Sequence, residues 1–160
     1  AGALVAFHAH AQAEEFKIGF VNTGRVFVEA NSAKAAQAKL ESEFSRREKE
    51  LVDMRNKLKD ASDKFERDAP TLSEAQRTSR QKSLMDQDRD FQRRSREFQE
   101  DLNARRTEEQ NQLVERANRV IKQLAESEKY DLVLQEAVYI NPKHDITDRV
   151  IKALNAAPAK

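Results

Sequence analysis

The sequence predicts a mostly helical α+β fold: a long antiparallel coiled-coil hairpin arm standing on a small β body that several chains complete together. Three observations predict it. Apolar residues recur every seven positions at Phe44, Leu51, Leu58, Phe65 and Leu72, and again at Leu84, Phe91 and Phe98, the spacing of a narrow helical seam. One helix-breaking element, Asp68-Ala69-Pro70-Thr71, separates the two runs, so two long helices fold back at a single turn. Short apolar stretches flank the arm on both sides and read as strands.

Composition agrees with an extended helical molecule. Charged residues make up 36% of the 160 positions and hydrophobic ones only 38%, with no Trp, too little apolar material for a large globular core. Sustained register over many turns separates this chain from a disordered polar one. Lys and Arg number 29 against 28 Asp and Glu, a net charge of +1 with the signs interspersed. That balance argues against a nucleic-acid binder, which carries a basic excess. Cysteine is absent, which excludes disulfides and thiol catalysis.

Residues 1–13 are of another kind. The apolar run Ala1–Phe7 leads into His8-Ala9-His10-Ala11-Gln12-Ala13, with small-residue cleavage sites after Ala11 or Ala13. This reads as a residual secretory signal peptide, the mature chain starting near Glu14 in an exported protein. Phe16, Ile18 and Phe20 then alternate with Lys17 and Gly19 as a strand ending at Val21. Asn22-Thr23-Gly24 turns the chain into a helical turn around Arg25–Val28.

The first arm helix begins near Ser32 and follows the stripe Ala33, Leu40, Phe44, Leu51, Met54, Leu58, Ala61, Phe65, with Arg47 and Asp68 at two inward positions. Pro70 ends it, and Thr71-Leu72-Ser73-Glu74 reads as the capping box of the second helix. That helix continues to about Ser127. Its stripe runs through Leu84, Phe91, Phe98 and Leu102, then steps eleven residues to Leu113, a stutter that locally unwinds a supercoil. The stripe resumes as Ala117, Val120 or Ile121, and Leu124, which must pack on something other than the first helix. Beyond it, Tyr130–Leu134 and Ala137–Ile140 read as two strands. Asp145 and Asp148 then cap a short helix with a buried face of Ile146, Val150 and Leu154. Three short strands leave open edges, which pairing with further copies would close. The expected organisation is therefore a body from 14–31 plus 128–157 and an arm from 32–127 with its tip near 68–73. Ile18, Phe20, Leu132, Leu134, Val138 and Ile140 are the expected contacts between copies.

No residue set suggests catalysis, a metal or a cofactor. His8 and His10 fall in the leader, His144 stands alone beside Asp145, and there is no Gly-rich phosphate loop. The chemistry on offer is surface. Met54 lies near the arm tip, and Val52, Leu72 and Met85 are the best candidates for exposed apolar surface that would hold a client. The Arg77–Arg96 stretch is a basic cluster interleaved with Asp86, Asp88 and Asp90, mostly a solvated face.

The order of elements and their residues resembles the Skp/OmpH family of periplasmic chaperones. The matching pieces are Ile18-Gly19-Phe20-Val21-Asn22 leading to Arg25-Val26-Phe27, then Tyr130–Leu134, Val138-Tyr139-Ile140-Asn141 and Asp145-Ile146-Thr147. Phe91-x-x-Arg94-x-x-x-Phe98 and the run Arg105–Glu109 fit as well. The resemblance covers essentially Glu14 to Asn155. It implies a trimer whose strands form a small barrel and whose three arms enclose a cavity. It also implies an ATP-independent periplasmic holdase for unfolded outer-membrane β-barrel proteins. For the anionic lipid or lipopolysaccharide contact proposed for the family, the matching positions are Arg94, Arg105 and Arg116, with Ala104 where a further Arg can stand. The rival reading is a coiled-coil spacer of the envelope that binds no unfolded client.

Overall fold

The computed structural model describes residues 14–157; the signal-peptide reading of residues 1–13 lies outside them. Strand β1 (Ile18–Phe20) leads into helix α1 (Thr23–Glu29). The arm follows as α2 (Asn31–Asp68) and α3 (Glu74–Ser127), joined by a 3-10 turn at Ala69–Thr71. Strand β2 (Leu132–Leu134), a second 3-10 turn at Pro142–His144 and helix α4 (Thr147–Ala156) complete the chain. At about 1.5 Å per residue, α2 runs roughly 57 Å and α3 roughly 80 Å. No helix among the described residues is long and apolar enough to cross a membrane.

The base is built where α3 outruns α2. Ala117, Val120 and Ile121 of α3 join Val21, Val26, Ala30 and Ala33 from one end of the chain and Ile146, Val150 and Leu154 from the other in one buried cluster. Both Val120 and Ile121 point inward, so the two alternatives at that register are both used. The α4 face is the expected one. The expected cap is displaced: the N-cap position is Ile146, without a side-chain cap, while Asp145 sits one residue before it, its Oδ1 accepting from the Thr147 amide at 2.9 Å, and Asp148 pairs with Arg25. The Thr147 hydroxyl, fully buried, in turn accepts from the Asn22 amide at 2.9 Å. The α2 start has no side-chain cap of its own, and Asn155 of α4 supplies one by accepting from the Asn31 amide at 2.8 Å.

β1 and β2 pair in parallel, Ile18 opposite Leu132 and Phe20 opposite Leu134. Gly19 lies on the inner face, where a Cβ would meet Ile146 Cδ1 at 2.8 Å and the Tyr130 ring at 3.3 Å, so a glycine lets the strand lie close to the start of α4 without moving those side chains.

Two further expectations need correction. The capping box of α3 is Ser73 with Gln76, not Thr71 with Glu74. The turn that Pro70 imposes extends through Thr71, whose hydroxyl donates back to the Asp68 carbonyl at 2.8 Å. Helix can therefore begin only two residues later. The second C-terminal strand, Ala137–Ile140, does not form: Leu132–Leu134 is the one strand in that region, and Val138 is fully solvent-exposed. A ladder needs a neighbour, and among the described residues this segment has none.

Candidate functional site

The arm divides at Phe44 and Phe98. Their rings meet edge to face, centroids 5.7 Å apart at 80°, and both are buried. Arg47, at an inward seam position, lays its guanidinium 5.5 Å from the Phe44 centroid and 5.7 Å from that of Phe98. Its charge goes to Asp101 at 2.8 Å. A cation over two ring faces with its head paired is a tolerable interruption of an apolar seam.

Between this clamp and the base lies a polar lock. Glu109 is 8% exposed, and its Oε1 accepts from Lys39 Nζ and from Arg105 Nη2, each at 2.8 Å. Arg105 also reaches Glu43 across the arm at 3.3 Å and pairs with Glu108 along its own helix. The Lys39 ammonium first, then Arg105, holds the Glu109 carboxyl below its ordinary range despite burial. Sequence reasoning missed this group, although a signal was present. Arg105 stands seven residues after Phe98 and Glu109 seven after Leu102. The stutter is where two seam positions turn polar and find partners on α2.

Beyond the clamp, no residue from 45 to 97 is buried. Leu51, Met54, Leu58, Phe65, Leu84 and Phe91 keep the heptad but remain half-buried. Of the apolar client candidates, Met54 lies in the seam, Leu72 is half-buried at the tip, and Val52 and Met85 are 40% and 55% exposed on its flanks. They are strung along the arm and do not converge on one pocket. The tip is held by Asp68, the other inward charge, which pairs with Arg80 at 2.8 Å. That guanidinium lowers the Asp68 pKa.

The three basic candidates share one face of α3, since eleven residues return to within about 20° on a helix, but each stands roughly 16 Å from the next. Each is engaged within the chain. Arg94 pairs with Asp90 at 3.0 Å, and Arg105 sits in the polar lock. Arg116 donates to the Ala157 carbonyl at 2.7 Å, closing the C-terminal end of α4 where a cation is favoured.

In the base, side-chain alternation turns Ile18, Phe20, Leu132 and Leu134 to the sheet face opposite Gly19 and Val133. Val133 packs on the core; the other four are outside it, and Leu132 is 43% exposed. Val138 and Ile140 follow in the irregular segment after β2, whose outer edge has no partner strand among the described residues. Phe16 and Tyr139 add further exposed apolar surface.

A family model described as outer membrane protein (OmpH-like) matches residues 17–154. This chain belongs to the OmpH-like family. It is 33% identical to the chaperone protein Skp of Photorhabdus luminescens, the alignment covering 94% of this chain and 92% of the relative. It is 32% identical to the Skp of Pectobacterium atrosepticum over the same shares. An OmpH-like crystal structure from Caulobacter crescentus superposes with a TM-score of 0.75 at 23% identity, over 87% of this chain and 83% of that one. The arm-on-base fold is therefore the fold of the family. Within it this OmpH-like chain is a chaperone and not an enzyme, so its function lies in the surfaces of arm and base.

Proposed function

We propose that this OmpH-like chain is an ATP-independent periplasmic holdase, which takes up unfolded outer-membrane β-barrel proteins between the arms of a homotrimer and keeps them from aggregating. The observation that carries the reading is the unclosed outer seam. Over residues 45–97 a regular apolar stripe is present but nowhere fully buried, so weakly apolar surface stays in reach of solvent along about 35 Å of arm. A spacer coiled coil would close that seam. Many weak contacts spread along an arm suit clients without fixed shape, because each releases quickly while together they hold. A client so held meets few other unfolded chains, and intermolecular strand pairing is suppressed.

Trimerisation is supported by the base. A two-stranded sheet whose apolar outer face is only partly covered and whose β2 edge is unpaired among the described residues is marginal alone. Copies arranged about a closed symmetry axis would cover both the face and the edge, with Ile18, Phe20, Leu132, Leu134, Val138 and Ile140 at the contacts. Anionic lipid and lipopolysaccharide stay outside the proposal, since Arg94, Arg105 and Arg116 are already paired within the chain.

The test is light scattering while a urea-unfolded outer-membrane barrel protein is diluted into buffer with and without this chain, together with its molar mass in solution. Suppressed aggregation by a species of three-chain mass is the expected result. A trimer that leaves aggregation unchanged would instead identify a spacer, and a monomer would overturn the account of the base.

A further inference from the structure

The outer seam carries two grooves, and their spacing says what they fit. The lower has a floor of Leu51, Met54 and Phe98. The upper lies between Phe65 and Leu84 and is bordered by Lys64 and Arg80. Their volumes, about 130 and 290 Å³, suit a side chain and not a whole small-molecule ligand. They repeat two heptads apart on both helices, Leu51 to Phe65 on α2 and Leu84 to Phe98 on α3. That places them about 20 Å apart along the arm.

Their electrostatics differ. Around the lower groove every charge is paired inside the arm: Arg47 with Asp101, Glu50 with Arg46, Arg94 with Asp90, Glu97 with Arg93. It accepts an uncharged apolar side chain. The upper groove has no acidic residue in its lining. Arg80 pairs with Asp68 there, and exposed Lys64, whose charge also acts on Asp68, makes no ion pair among the described residues. It complements an apolar side chain next to a carboxylate.

An extended peptide advances about 3.3 Å per residue, so about 20 Å is six residues, an even number that returns side chains to the same face. We propose that the seam inside a single arm is a client-binding site for an extended segment with period-two apolar alternation. Apolar residues i and i+6 occupy the two grooves, with an acidic residue two positions from the one at the upper groove, on the same face of the segment and beside Lys64. The proposal rests on the holdase reading and names the part of the client that is held. Strands destined for a barrel alternate in this way over about ten residues, long enough to bridge both grooves.

The chain's two methionines report on the site. Met54 lines the lower groove, whereas Met85 lies off the seam and lines neither. The full chain with ¹³C-methyl-labelled methionine is titrated with an eleven-residue peptide carrying leucines at i and i+6 and a glutamate at i+8, on the same face, the rest serine and threonine. A second peptide of the same composition has the leucines at i and i+5, on opposite faces. Expected is a shift of the Met54 methyl and not of Met85, with the i+5 peptide weaker by about fivefold, the loss of one side-chain contact. Lys64→Glu, an exposed change, should weaken the first peptide by about fivefold while Lys64→Arg restores it. Equal affinities, an unmoved Met54, or an equal response to a helical peptide of that composition would overturn the proposal. Addition of an unfolded barrel protein to the same sample separates the two readings. Suppressed aggregation with Met54 unmoved sinks the seam site alone, and no suppression sinks the holdase with it.

Discussion

The two halves of the arm share one heptad and differ in what it encloses. Toward the base, α2 and α3 are fastened by an aromatic pair, a stacked arginine and a buried carboxylate bridged from both helices. Toward the tip the same period continues through Leu51, Leu58 and Phe65 with no buried residue. Periodicity therefore sets which face of a helix is inward, while partners across the seam decide whether that face closes. The lower half orients the arm; the upper half remains available.

Substitution at matched positions would break this contrast or sharpen it, provided unfolding is measured at one protein concentration. Phe98→Ala should have the largest effect, about 3 kcal/mol by denaturant unfolding, because it removes a buried ring and its edge-to-face contact. Next comes Glu109→Gln, which keeps the shape but loses the charge that Lys39 and Arg105 surround, at about 1–2 kcal/mol given that Lys39 is largely exposed. Acid should act on the same group. The folded Glu109 pKa lies below the ordinary 4.5, so its contribution is complete above that pH and falls away as pH drops through the folded value. Hydrogen exchange at α2 amides near Lys39 should accelerate over that range in the parent and show no such step in Glu109→Gln. Phe65→Ala, the distal counterpart of Phe98→Ala, should cost only about 1 kcal/mol, since its ring is already half-solvated. If it costs as much as Phe98→Ala, the outer seam is closed in solution and the contrast fails. The smallest effect is expected at the tip. Ser73→Ala removes the cap of α3 for about 0.5–1 kcal/mol and should speed amide exchange only around residues 74–76.

The arm was legible because it is local and periodic. Seven-residue spacing from Phe44 to Leu72 and a lone Pro70 are enough to place two helices and a turn. The turn's detail was ambiguous because Thr71-x-x-Glu74 and Ser73-x-x-Gln76 are overlapping boxes of nearly equal quality; the length of the proline-induced turn chose between them. The stutter was visible, but its content was not. Glu109 reads as one more carboxylate on a charged helix until Lys39, seventy residues earlier, is placed opposite it. The third strand failed for the converse reason. Val138–Ile140 has strand-forming side chains, but pairing is a property of two segments and one chain offers only one of them. The parallel register of Ile18 with Leu132 was likewise hidden, since nothing local encodes it.

That register has a kinetic consequence. Ile18 and Leu132 are separated by more than a hundred residues, and closing so long a flexible loop costs on the order of 4 kcal/mol of chain entropy. The hairpin removes most of that cost, because zipping α2 onto α3 from the Pro70 turn downward brings the two strand segments together one local contact at a time. In chain order the first strand precedes its partner by the whole arm, and until the arm zips, its hydrogen-bonding groups are left to water. The arm is thus the device by which the two separated halves of its own base find each other.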